Sequence, residues 1–154
     1  MISNTSPIIF FAKIRRFDIL ERLYERIIIP NEVKEELLFG NKPDSEIVNE
    51  AIFKGKLIVK SPGKLLNFSL GKGESSAISL AIELKMPLII DDYAGFRTAQ
   101  SLNVEALRTP SVIFSAVKKK LISKKEALDI INNIIDEGYY ISTKYYKEIL
   151  DELK

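Results

Sequence analysis

An α/β fold is predicted, a central parallel sheet of four or five short strands covered by helices, and three observations point to it. Short branched-aliphatic runs alternate with longer amphipathic segments along the chain. The runs are apolar almost throughout, as strands buried on both faces must be. Helix-capping residues and glycines fall between them, where starts and stops belong. At 154 residues the chain is long enough for one core and too short for two ordinary ones, so residues 1–154 read as a single domain.

Taken in order, the first apolar run is Met1 to Ser3, followed by Ser6-Pro7, an N-cap with proline at the first helical position. Ile27 to Ile29 is the second run, with Asn31 and Asp44 as caps of two further helices. Leu57 to Val59 is a fifth strand at an edge, and Ser61 to Gly73 is a connecting loop. The helix that Glu74 opens places Ala77, Ile78, Ala81 and Leu84 towards the sheet. Leu88 to Ile90 and Val104 to Leu107 are the remaining strands, with a helix near Tyr93 between them and Thr109-Pro110 repeating the first cap. Ser123-Lys124-Lys125-Glu126 is a capping box ahead of Leu128, Ile131, Ile134 and Ile135, which share a helical face. Gly40, Gly55 and Gly138 stand at C′ positions.

Composition removes much of enzymology. With no Cys there is no disulfide framework, thiolate nucleophile, Cys-zinc site or iron–sulfur cluster, and with no His there is no Ser-His relay or imidazole ligand. Carboxylate, hydroxyl, Lys, Arg and Tyr chemistry remain, best served by an oxygen-ligated cation. Twenty-three basic residues against 21 acidic ones give a net charge of +2, so any nucleic-acid footprint has to be local. No run approaches the length of a membrane span and no secretory signal opens the chain, so a cytoplasmic location with no membrane partner is expected.

Polar residues just beyond the apolar runs mark the ligand crevice of an open parallel sheet. Asn4-Thr5-Ser6 follows the first run, and the doublet Asp91-Asp92 follows Leu88 to Ile90. Adjacent carboxylates at the end of a buried strand repel unless hydrogen bonds or a cation offset their desolvation. The bland alternative is that Asp92 caps the next helix. On a helix from Asn31 to Phe39, Glu36 stands at the border of the face made by Val33 and Leu37, whereas Glu35 points roughly 200° away from Val33. Glu32, one turn before Glu36, shares its side. Glu74 in a first helical turn is favoured by the helix dipole alone, and it becomes a ligand only in company with the other acids. Gly71-Lys72-Gly73 before it meets neither the Walker nor the dinucleotide pattern.

Together these segments resemble a PIN domain, and the match runs nearly end to end. Ile2-Ser3-Asn4-Thr5-Ser6-Pro7 resembles the family's first strand ending in Asp-x-Ser and entering a helix. Glu36-Leu37-Leu38-Phe39-Gly40 resembles its Glu-Leu-x-x-Gly segment, Gly73-Glu74-Ser75-Ser76-Ala77-Ile78 its acid-led third-site helix, and Ile89-Ile90-Asp91-Asp92 with Phe96-Arg97 the place of its fourth acid. The Ser-Pro and the paired Asp resemble a branch of PIN-like nucleases of unassigned function related to VapC-type toxins. The resemblance implies a three-layer α/β/α fold and a site in which Asn4, Glu36, Glu74 and Asp92, with Asp91 as an alternative ligand, hold Mg2+ or Mn2+. The implied activity is metal-dependent cleavage of single-stranded RNA, as the toxin of a toxin–antitoxin pair. The family's first acid is here Asn4, which keeps an oxygen donor and loses a charge, so activity is expected to be weakened or lost. A catalytically silent RNA- or protein-binding module is the alternative. A receiver-like regulator ranks below both, because it would carry its acidic pair after the first strand.

For a single-stranded substrate the basic candidates are Lys13, with Arg15 and Arg16, after the first helix, and Arg97 after the paired Asp. By its family position Ser6 would steady the first site or touch phosphate. Lys118 to Lys120 with Lys124 and Lys125 make the densest basic run, which a solvated helix end explains better. Tyr139, Tyr140, Tyr145 and Tyr146 read as closing a core or the seam of a homodimer, with stacking on bases the lesser reading. An antitoxin protein and a second copy of the chain are the expected protein partners.

Overall fold

The computed structural model describes residues 1–154. Strands β1 (Ile2–Ser3), β2 (Ile27–Ile29), β3 (Leu57–Val59), β4 (Leu88–Ile89) and β5 (Ala106–Leu107) form one sheet in the order β3-β2-β1-β4-β5. Every pairing is parallel, and Ile2 lies beside Ile28 on one side and Leu88 on the other. All five apolar runs are therefore strands, with Leu57–Val59 at an edge.

Nine helices cover the sheet: α1 (Thr5–Lys13), α2 (Phe17–Leu23), α3 (Asn31–Leu38), α4 (Ser45–Phe53), α5 (Lys72–Leu84), α6 (Tyr93–Ser101), α7 (Thr109–Lys118), α8 (Lys124–Asp136) and α9 (Thr143–Glu152). Right-handed crossovers decide which face each takes. The chain steps outward from β1 to β2 and β3 through α1 to α4, then reverses across the sheet to β4 and β5 through α5 and α6, which puts the second pair on the opposite face. Side-chain alternation in β4 serves both layers: Ile89 packs with Phe11, Leu20 and Val112 of one core cluster, and Leu88 and Ile90 with Ile2, Ile78 and Ala99 of the other. After β5, α7 and α8 return to the first face, where α7 packs on α2. The result is the three-layer α/β/α arrangement. No helix is long and apolar enough to cross a membrane.

Several boundaries move by a residue or two for identifiable reasons. The capping box at Ser123 is present in full, and Asp44 occupies an N-cap. Ser6 and Thr109, by contrast, lie inside their helices, whose N-cap positions are Asn4 and Arg108, and Asn31 is the first residue of α3 after Pro30. In each case the helix starts immediately beyond a strand, so the residue at the turn has extended backbone and the polar residues after it are free for other contacts. Val104 belongs to a helix end and not to a strand. Its N–H bonds the carbonyl of Ala99 at 3.0 Å across Asn103, which takes the left-handed conformation at φ +58° that a helix C-terminus requires.

Candidate active site

The sheet order places the crevice. From β1 the chain leaves in one direction to β2 and is met on the other side by β4, so the connections diverge between β1 and β4 and leave a hollow beyond their carboxyl ends. Register then sets what faces it: Ser3 pairs with Ile89, and the Asn4 N–H bonds the Ile89 carbonyl at 2.9 Å. Asn4 is thus held one rung below the Asp91-Asp92 doublet on the neighbouring strand. Two further elements reach the same rim, since α3 packs against both α1 and α5.

Asn4 is 1% exposed and donates through Nδ2 to Glu74 Oε1 at 3.3 Å. Its Oδ1 is buried without any donor. An unpartnered buried amide oxygen costs about 1–3 kcal/mol, which is the signature of an oxygen awaiting a donor or a cation. Thr5, the next residue, gives its hydroxyl to Glu36. Glu36 lies on the exposed rim of α3 and also presses against the backbone of Gly73, where an added Cβ would stand 2.6 Å from Oε1. Consecutive residues of β1–α1, Asn4 and Thr5, therefore meet acids on two different helices, and Gly73-Glu74 completes the square. The glycines of Gly71-Lys72-Gly73 allow carboxylates close to the backbone, with Glu74 curled over Gly71, in place of cradling a phosphate. Glu32 shares the Glu36 side, as its spacing indicates, and accepts from the buried Ser76 hydroxyl at 2.8 Å. Glu35, expected to point away, is exposed and accepts from Asn31 Nδ2 at 2.8 Å, yet it lines the same outer depression as Glu32 and Glu36.

The doublet divides its labour. Asp92 is exposed, and its Oδ2 accepts from the Gly95 N–H at 2.7 Å to cap α6, leaving Oδ1 free. Asp91 turns inward and is saturated: Oδ1 accepts from the Thr109 N–H at 2.8 Å and the Tyr139 hydroxyl at 3.0 Å, and Oδ2 accepts from the Thr109 hydroxyl at 2.6 Å. Burial pushes the Asp91 carboxyl above its ordinary range, against the opposing pull of those hydrogen bonds and of the Arg108 charge. Burial and the Asp91 carboxylate together hold the Tyr139 hydroxyl in its neutral, donating form. Asp91 is therefore a strut that ties the end of β4 to the start of α7, and Asp92 is the member of the pair with an oxygen to offer.

A cavity of about 360 Å³ opens beside these groups, lined by Ser6, Glu74, Asp91, Asp92 and several aromatic rings. Glu36 lies on the other side of the rim, in a separate depression with Glu32 and Lys72. The four expected ligands thus share one end of the sheet but do not close on a point, and no group of three carboxylates is within joint ligating reach. The donor set nevertheless fits Mg2+ or Mn2+: it is all oxygen, includes one orphaned oxygen, and such ions keep several waters and take only one or two carboxylates directly. Of the basic candidates, Arg97 is exposed on α6, one helical turn beyond Tyr93, and is not among the residues lining the cavity. Lys13 is at the far end of α1, about 12 Å along the helix axis from its start, and pairs with Glu137 at 3.7 Å. Lys118 to Lys120 lie at the corresponding far end of α7, where they are solvated. Tyr139 packs edge-on against Phe10 at 5.3 Å between ring centres, and Tyr146 bonds Asn132, so these two close the core. Tyr140 does not; it is 83% exposed. Arg108 also lines the cavity and was passed over by sequence reasoning, although it follows β5 directly and the rule that singled out Asn4 and Asp91 applies to it equally.

A family model described as PIN domain matches residues 1–154. Among solved structures, a PilT N-terminus domain protein from the hyperthermophilic archaeon Sulfolobus solfataricus is similar in fold, with a TM-score of 0.53, 22% identity, and 76% of this chain and 94% of that chain covered. A domain of a functionally unknown protein from Methanocaldococcus jannaschii aligns with a TM-score of 0.47 and 18% identity over 70% of this chain and 88% of that one. No match was found among curated proteins.

Proposed function

Since the chain belongs to the PIN-domain family, a family of generally metal-dependent nucleases, we propose that it is a ribonuclease for single-stranded RNA working through Mg2+ or Mn2+, with turnover weakened by Asn4. The observation that supports this reading most is the buried, donorless Oδ1 of Asn4 beside Glu74 at the point where the strand connections diverge. Asn4, Glu74 and Asp92 would hold the cation directly or through water, and Glu36 would do so from the outer rim. When bound, the ion supplies positive charge against the phosphoryl oxygens and a polarised water as nucleophile. The chain itself positions and orients. Thr5 fixes the Glu36 carboxylate, the Gly95 N–H fixes that of Asp92, and the Asp91 strut keeps β4 and α7 in register around them. The reading extends to a toxin acting as a homodimer with an antitoxin partner, in keeping with the VapC-type branch that the motif order resembles.

One observation favours the second reading, a binding module without turnover: the Asn4 Nδ2 donates to Glu74 Oε1 at 3.3 Å, engaging an oxygen that a cation would need. Titration calorimetry with MnCl2, alongside cleavage of a single-stranded RNA pool, separates the two. The protein is expected to bind Mn2+ weakly and cut slowly, and Glu74→Ala is expected to lose both while remaining folded, at a cost of about 1–3 kcal/mol because the buried Asn4 Nδ2 loses its acceptor. Absence of Mn2+ binding by the parent, or cleavage undiminished in Glu74→Ala, overturns the nuclease reading.

Gly73 offers a second check. An alanine there collides only with the tip of an exposed Glu36 side chain, so stability should change by less than about 1 kcal/mol, but the carboxylate must leave Thr5. Displacements of about 1 Å in a positioning group can cost on the order of a hundredfold in rate. Gly73→Ala is therefore expected to lower Mn2+-dependent cleavage at least about tenfold with an unchanged melting curve. Equal rates would remove Glu36 from the site.

A further inference from the structure

Beside the acids the cavity holds one cation, Arg108, and its bonding is incomplete. Its Nε is buried with no acceptor, and it belongs to none of the chain's ion pairs. The nearest acid, Asp91, feels its charge but is already saturated by Thr109 and Tyr139. The guanidinium is fixed instead by aromatic rings, its Cζ 6.0 Å from the centre of Tyr139 and 5.9 Å from that of Tyr145. Those distances sit at the limit of cation–π attraction and hold the group in place without neutralising it. A half-buried, oriented and unpaired guanidinium at the edge of a cavity is a site for an anion, and its planar fork suits phosphate. Two more rings line the same cavity with nothing to cover them: Tyr93 is 69% exposed and Tyr140 is 83% exposed. Exposed rings beside a phosphate-binding cation are what an unpaired nucleotide requires, since its base has a free face and a paired base does not.

We propose that this cavity is a nucleotide subsite, in which Arg108 holds a backbone phosphate next to the one being cut and Tyr140, with Tyr93, stacks the adjoining unpaired base. The inference rests on the ribonuclease reading for its substrate, and it adds the groups that make that substrate single-stranded. It also answers an electrostatic difficulty. Glu74, Asp91 and Asp92 repel a polyanion, and Arg108 is the only cationic side chain lining the cavity to counter them.

Fluorescence anisotropy with a labelled single-stranded oligoribonucleotide, its abasic analogue and the matching duplex, in EDTA, tests the subsite without the metal. Arg108→Met, which keeps the unbranched apolar stem and removes the guanidinium, is expected to weaken single-strand binding about tenfold and to reduce the slope of log K against log salt by about 0.7, one phosphate contact. Tyr140→Leu, at a position too exposed to affect folding, should weaken the strand carrying bases about tenfold and leave the abasic analogue unchanged. No single-strand binding by the parent, or binding by both variants equal to the parent's, overturns the proposal. So does an Arg108→Met loss that accompanies a fall in melting temperature while Tyr140→Leu is silent, which is a structural role. Parallel Mn2+-dependent cleavage by the Asn4→Asp protein keeps the two readings apart. Cleavage with a KM indifferent to Arg108 and Tyr140 leaves the nuclease and removes the subsite; failure to cleave or bind Mn2+, with Arg108- and Tyr140-dependent RNA binding intact, removes the nuclease and leaves the subsite.

Discussion

Asn4→Asp is expected to raise Mn2+ affinity on the order of a hundredfold and RNA cleavage at least as much, while destabilising the metal-free protein. A carboxylate in place of the amide adds one unit of negative charge at a ligand distance from the ion, worth on the order of 4 kcal/mol at an effective dielectric of 20. Desolvation of a side chain that is 1% exposed takes back part of this. A residue of about 2–3 kcal/mol corresponds to a factor near a hundred. The opposite sign in the metal-free state follows from Glu74. At 3.3 Å the amide donates to Oε1, and an Asp in its place would set two carboxylates face to face. A loss of about 2–4 kcal/mol is expected, which for a chain of this size lowers the melting temperature by roughly 5–15 °C. Millimolar Mn2+ should restore it by mass action. Differential scanning calorimetry with and without the metal reads both halves. An Asn4→Asp protein that melts like the parent, ignores Mn2+ and cuts nothing would show that this corner of the sheet does not hold a cation.

Phe11→Ala carries the largest expected loss of stability. Phe11 is wholly buried and is the bulkiest of the fully buried side chains. It sits on α1, two turns beyond the residues that face Glu74 and Glu36, among Leu20, Ile29, Val112 and Ile130 of the larger core. Truncating a buried phenylalanine costs about 3–5 kcal/mol, the transfer term plus the cavity left behind. Urea unfolding should show a midpoint lowered in proportion at unchanged slope. Phe53→Ala is the internal control. At 92% exposure that ring contributes almost nothing to the core, and the change should stay within about 0.5 kcal/mol. Equal effects at the two positions would mean that α1 does not pack as described. Because α1 carries Asn4 and Thr5 at its first turn, a Phe11→Ala protein that still folds should also bind Mn2+ more weakly than the parent.

The layers of the fold were legible in the sequence because burial on both faces leaves a local trace. Ile27–Ile29 and Leu57–Val59 coincide with their strands to the residue, and the capping box marks the start of α8, whereas α2 (Phe17–Leu23) carries no capping signal and went unread. Boundaries failed where tertiary bonding competes with propensity. Ser6 and Thr109 have the residue types of N-caps but lie one or two positions inside their helices, and Thr109 instead directs both of its donors at Asp91. The same competition decided the doublet, in which nothing local distinguishes Asp91 from Asp92. Only the approach of α7 and Tyr139 makes one a buried strut and leaves the other at the surface.

By itself the sequence determined the strands, the family pattern and which residues stand at the carboxyl ends of β1 and β4, since these depend on periodicity and position along one chain. Tertiary structure alone decided that Asn4 donates to Glu74 and keeps an orphaned oxygen, that Glu36 is tied to Thr5 and Gly73 on the outer rim, that Lys13 pairs with Glu137 at the far end of α1, and that Arg108 is unpaired among tyrosines. Hydrogen-bond satisfaction and charge pairing are properties of neighbours in space, and the neighbours here are separated by 31 to 70 positions in the chain.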